Sequence, residues 1–143
     1  MRALFLCVLL LAGPGAPWPA RAADLSLTVV NLAPGGQGTL RAALYASAED
    51  FEHKGQPFAA LMMRQAEEGV HLSLGPLPPG RYAVRVFQDL NANGTLDTNL
   101  LGIPTEPFGF SNDAMGEMGP PSFAAAAITL ESAPLAIRVT LRR

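Results

Sequence analysis

The segment Arg81-Tyr82-Ala83-Val84-Arg85-Val86-Phe87-Gln88-Asp89 alternates with a period of two, and shorter segments of the same kind recur at spacings near ten residues between Gly and Pro turns. Leu25–Val29, Gly38–Ala46, Phe58–Ala66, Val70–Leu74, Phe123–Leu130 and Pro134–Leu141 read as further strands, although Leu61-Met62-Met63 in the third suits the face of a short helix as well as a strand. Pro34-Gly35-Gly36 predicts a hairpin between the first two, and Glu131-Ser132-Ala133 a hairpin between the last two. About seven short strands with no room for crossover helices predict an all-β fold, a single antiparallel Greek-key β-sandwich of immunoglobulin or prealbumin type. Tyr82, Val84 and Val86 form one face of the clearest strand, while its other face, Ala83, Arg85 and Phe87, is mixed.

The N-terminus follows a different pattern. Arg2, an apolar run from Ala3 to Ala12 and the small residues Ala20 and Ala22 make the three parts of a secretory signal, with cleavage expected before Ala23. A run of about ten apolar residues falls short of the roughly 20 a membrane-spanning helix needs, so the chain is not expected to be an integral membrane protein. The expected organisation is a cleaved signal, 1–22, and one sandwich domain, 23–143, in the periplasm or secreted. The one cysteine in the sequence, Cys7, lies within the signal. The domain then has no disulfide, thiolate nucleophile or thiolate metal ligand, and burial must hold it together.

Of 10 basic and 12 acidic residues, the signal removes Arg2 and Arg21, leaving 8 − 12 = −4. With no basic cluster beyond Arg142-Arg143, nucleic acid is excluded as a partner class.

The one long interval between strands, 89–122, is where a site is expected. Asp89, Asn91, Asn93, Thr95 and Asp97 stand at positions 1, 3, 5, 7 and 9 of an EF-hand-like loop, with Gly94 at the sharp turn, and hard oxygen donors at that spacing suit calcium. Position 12, which normally supplies a bidentate carboxylate, is Leu100. Asn99, Glu106, Asp113, Glu117 or water would have to complete the site. The competing reading needs no metal, because Asn and Asp favour turns and Asn93-Gly94 is a strong turn dipeptide. Zinc is disfavoured, since His53 and His71 are isolated.

Beyond that loop the chain is apolar for a connection, with Phe108, Phe110, Met115, Met118 and Phe123 among glycines. Either it folds back and buries the aromatics over one end of the sandwich, or it forms a groove for a protein, peptide or small ligand. In the second case Phe108, Phe110, Ser111 and Asn112 are the candidate contact surface.

Catalysis finds little support. Ser111 lacks the Gly-x-Ser-x-Gly setting of a nucleophile elbow. Glu49, Asp50, Glu52 and His53 read as a solvated group near a turn, and Arg81 and Arg85 either hold an anion or solvate an outer face. The expectation is a binding or structural module, not an enzyme. The alternative is a periplasmic hydrolase or carbohydrate-processing enzyme using Asp89, Asp97, Glu106 or Asp113.

The stretches Leu77-Pro78-Pro79-Gly80-Arg81-Tyr82-Ala83-Val84, Asp89 to Asn99, Gly102-Ile103-Pro104, Phe108-Gly109-Phe110-Ser111-Asn112 and Gly119-Pro120-Pro121-Ser122-Phe123 together resemble an exported bacterial family catalogued as domain of unknown function 2141. The resemblance covers essentially all of 23–143 and implies location and fold, not a reaction. Leu77 to Val84 is also similar to the turn-and-strand motif of prealbumin-like modules in bacterial surface proteins, which bears on fold alone.

Overall fold

The computed structural model describes residues 21–35, 38–64 and 66–143, and the predicted signal lies outside them except for its last two residues. Among the described residues eight strands form two facing sheets, so the sandwich expectation holds, with two corrections to the pairing. The first strand, β1 (Ala23–Val30), pairs with β4 (Val70–Leu77) on one side and β8 (Leu135–Thr140) on the other. In the opposite sheet β2 (Thr39–Tyr45) lies between β3 (Ala59–Arg64) and β5 (Gly80–Asp89).

The predicted hairpin between the first two strands therefore does not form. The inner rows explain why: Leu25, Leu27 and Val29 of β1 and Leu40, Ala42 and Leu44 of β2 are all buried in one cluster. In a hairpin these rows would lie side by side on one sheet. On opposing sheets each covers the other.

The second correction concerns the C-terminal part. Only Ile128–Leu130 is strand, as β7, and it pairs with β5 rather than β8. Phe123–Ala126 is a short helix, α2, which belongs after α1 (Ala48–Glu52) in chain order. Ser122 caps α2 by accepting from Ala125 N at 3.2 Å, and the alanine-rich run that follows has high helix propensity. Strand β8 instead runs parallel to β1, matching Leu25, Leu27 and Val29 with Leu135, Ile137 and Val139, so the sandwich is not wholly antiparallel. Aligning these apolar rows extends the core through Val139, which is buried.

Strand β5 is covered on both faces, which accounts for its mixed composition. Tyr82, Val84 and Val86 enter the core between the sheets, while Ala83 packs outward with Tyr45, Phe51, Phe110, Phe123 and Ala126. Phe51 is the centre of this second cluster, edge-to-face with Tyr45, Phe123 and Phe110 at centroid separations of 5.6, 6.0 and 6.1 Å. Helices α1 and α2 supply Phe51, Phe123 and Ala126. Ser47 starts α1 in a reciprocal cap, accepting from Asp50 N at 3.1 Å and donating to its carboxylate at 2.7 Å. The two helices are joined where Glu52 accepts from Phe123 N at 2.8 Å.

The same cluster receives Arg85, whose guanidinium lies 4.5 Å from the Phe51 ring centroid and 5.3 Å from that of Tyr45, and donates to the Phe51 carbonyl. Arg81 lies over Phe123 at 5.8 Å. Both arginines of this face thus rest on aromatic rings.

Candidate functional site

The long interval is built from β5 outward. Asp89 is the last residue of that strand and is fully buried, with a relative exposure of 0%. Its Oδ2 accepts from Arg41 Nε and from Gly94 N, both at 2.8 Å, and its Oδ1 accepts from Asn93 N at 3.0 Å. Arg41 reaches it because β2 and β5 place Thr39 opposite Asp89, two residues along the strand from Arg41. Burial by itself raises the Asp89 carboxyl. The hydrogen bonds from Arg41, Gly94 and Asn93, with the Arg41 charge, outweigh it and hold the group below the usual carboxylate range.

The turn that follows is stitched by its own side chains. Asn91 Oδ1 accepts from Asn93 N at 3.1 Å, and Asn93 Oδ1 accepts from Thr95 N at 2.9 Å. Gly94 has φ +90°, the left-handed conformation the sharp turn requires. Asp97 receives the amide groups of both asparagines, Asn91 Nδ2 at 2.6 Å and Asn93 Nδ2 at 2.8 Å. Asp89, Asn91, Asn93, Thr95 and Asp97 are thus hydrogen-bonded to one another within one loop and, through Asp89, to Arg41. Among the described residues no group of three or more His, Cys, Asp and Glu side chains is placed to hold a metal ion.

Glu106 closes the loop, though through backbone donors. It is 4% exposed, and its two oxygens accept from Leu90 N at 2.8 Å and Asp97 N at 3.0 Å, tying the two ends together. Thr105 N donates to the Asp97 carbonyl at 2.9 Å, and Thr98 and Pro104 form an isolated bridge. Beyond that bridge Asn99 organises the tip. Its side-chain oxygen accepts from Leu101 N at 2.9 Å and Ile103 N at 3.0 Å, its N–H donates to the Ile103 carbonyl, and its carbonyl accepts from Gly102 N. At this tip stand Leu100, Leu101 and Ile103, exposed by 106%, 83% and 56%.

The remaining candidates lie elsewhere. Phe110 and Ser111 are buried and do not form a contact surface. Phe110 ends β6 (Phe108–Phe110) and belongs to the outer cluster, while Ser111 Oγ accepts from Val84 N at 2.9 Å and donates to the Ala126 carbonyl at 2.5 Å. The loop folds back because those aromatics fill the space over Ala83. Phe108 is half-buried, and Asn112 is exposed but latched to α2 through the Ala125 and Ala127 carbonyls at 3.2 and 2.9 Å. Asp113 accepts from Thr140 N at 2.7 Å, alongside β8.

Sequence reasoning passed over the tip itself. Leu100 counted only as a missing ligand, although two leucines and an isoleucine inside a polar turn are the signal that could have drawn attention. Arg41 could not be assigned without the strand register.

The profile of the bacterial family described as an uncharacterized protein conserved in bacteria, DUF2141, matches residues 28–138. The chain belongs to the DUF2141 family. The match runs from within β1 to within β8 and includes the whole of the Asp89–Glu106 loop. A search of the curated proteins and a search of the solved structures each found no match.

Proposed function

We propose that this DUF2141 protein is an exported, non-catalytic binding module whose working part is the loop from Asp89 to Glu106. One observation carries the reading: Asp89, Asp97 and Glu106 are each held by donors of the chain itself, while the loop they brace extends an apolar tip into solvent. A hydrolase needs carboxyl groups free to exchange protons with substrate. Two of these three are buried, and the third receives two amide donors, which argues against that alternative.

Export is supported by the signal-like N-terminus, and the first strand begins at Ala23, where cleavage is expected. The test is photocrosslinking in the producing cell, with a photoreactive residue at Leu101 or at exposed Glu131. The expected result is adducts from Leu101 only, on a protein whose N-terminus is Ala23. A protein that keeps Met1 and stays in the cytoplasm, or adducts indifferent to position, contradicts the proposal.

A second reading, calcium binding, is favoured by the convergence of the Asp89, Asn91, Asn93 and Asp97 side chains in one turn. In it the cation takes the place of the asparagine amide donors at Asp97 and braces the same tip. A melting temperature that rises and saturates with calcium, and does not do so in Asp97→Asn, supports this reading. An unchanged melting temperature through millimolar calcium rejects it.

A further inference from the structure

We infer that the tip Leu100-Leu101-Gly102-Ile103 inserts into the surface of a lipid bilayer. The inference rests on the binding-module reading and names its partner. Three features select lipid. The segment from Thr98 to Thr105 carries no charged residue, so its entry into an apolar medium desolvates no formal charge.

Most of its N–H groups are already paired: Asn99, Leu101, Gly102, Ile103 and Thr105 each donate within the loop, and Pro104 has none to offer. Each donor paired inside the loop is one fewer to desolvate when the tip leaves water. Finally, Leu100 and Leu101 project from the loop almost without neighbours, and Ile103 is more than half exposed. A deformable bilayer accepts such a convex point, while a protein partner would have to supply a matching pocket. Asp97 and Glu106, at the two ends of the uncharged segment, limit entry to the headgroup and upper acyl region.

The chain from Ala23 to Arg143 is suited to the test, because every member of both buried clusters lies within it and it omits the apolar N-terminal run. It also omits Trp18, the one tryptophan in the sequence, so Leu101→Trp places a single reporter at the tip. With vesicles of phosphatidylcholine, alone or mixed with phosphatidylglycerol, the expected result is a blue shift of that tryptophan and shielding from an aqueous quencher. The shift should be similar in both lipids and insensitive to salt. Leu100→Ser and Ile103→Ser should each lower co-flotation about tenfold, with melting temperatures unchanged.

Three results overturn the inference. One is no shift at millimolar lipid, another is binding only to the anionic vesicles that salt abolishes, and the third is tip-dependent self-association without lipid binding. If Leu101 forms adducts in cells while vesicles are not bound, the module reading stands and lipid is rejected. If neither occurs, both fail.

Discussion

Arg41 on β2 donates its Nε to Oδ2 of Asp89 at the end of β5, at 2.8 Å, with the carboxylate wholly buried and the arginine side chain 30% exposed. This pair fixes the base of the loop, since the same carboxylate also accepts from Gly94 N and Asn93 N. In Asp89→Asn one of the two acceptor oxygens becomes an N–H donor, so at least one of these three donors faces another donor, and Arg41 loses its counter-charge. Asp89→Asn is expected to lower stability by about 3 kcal/mol, the low end for a buried pair because Arg41 keeps contact with water. Urea unfolding of the variant and the parent chain measures the difference.

The pair also predicts a pH dependence. The folded-state pKa of Asp89 is depressed, so in acid the unfolded chain binds the proton more readily than the folded one. The stabilisation is complete above the ordinary aspartate value of about 3.9 and declines as the pH falls from there through the lower folded value. Urea midpoints from neutral pH into acid should show this loss in the parent, and Asp89→Asn should lack its share of the slope.

Ser111 offers a test away from the loop. Its hydroxyl is the acceptor for Val84 N in the middle of β5, in a buried place that water does not reach. Ser111→Ala should cost about 1–3 kcal/mol in thermal or urea unfolding through that orphaned amide. Ser111→Thr tests the same point, because it keeps the acceptor and costs only the fit of a methyl group.

At Gly109 the limit is space. A Cβ there would lie 2.8 Å from Val139 Cγ1 and 2.9 Å from the Thr140 carbonyl oxygen, where β6 crosses β8. Gly109→Ala is expected to destabilise by about 1–3 kcal/mol through overpacking, measured as a lowered urea midpoint.

Much of the fold was legible because alternation is local. Leu25–Val29, Leu40–Leu44 and Tyr82–Val86 declare their inner rows without any partner. Pairing is not local: which sheet β1 and β2 enter depends on how their rows cover each other, and the run Phe123–Ala126 took its helical form from the Ser122 cap and the space beside Phe51. The short helix at Ala48–Glu52 did have a local signature, Ser47 with Asp50 three residues on, but its acidic residues suggested only a solvated turn. In the candidate site the asparagine and aspartate spacing located the loop correctly. That Arg41 neutralises Asp89 and that Glu106 ties the ends depend on contacts 48 and 16 residues apart in sequence, which no spacing rule reaches.

The Asp89–Glu106 loop holds its tip by its own donors and acceptors. Amide hydrogen exchange of the chain from Ala23 to Arg143, in excess EDTA, tests it most directly. Slowed exchange is expected at Leu101 and Ile103, despite their exposed side chains, with loss of that protection in Asn99→Ala, which removes their acceptor. Exchange at the rate of an open chain in EDTA, with protection gained only when calcium is added, would contradict it and make the metal the organiser of the loop.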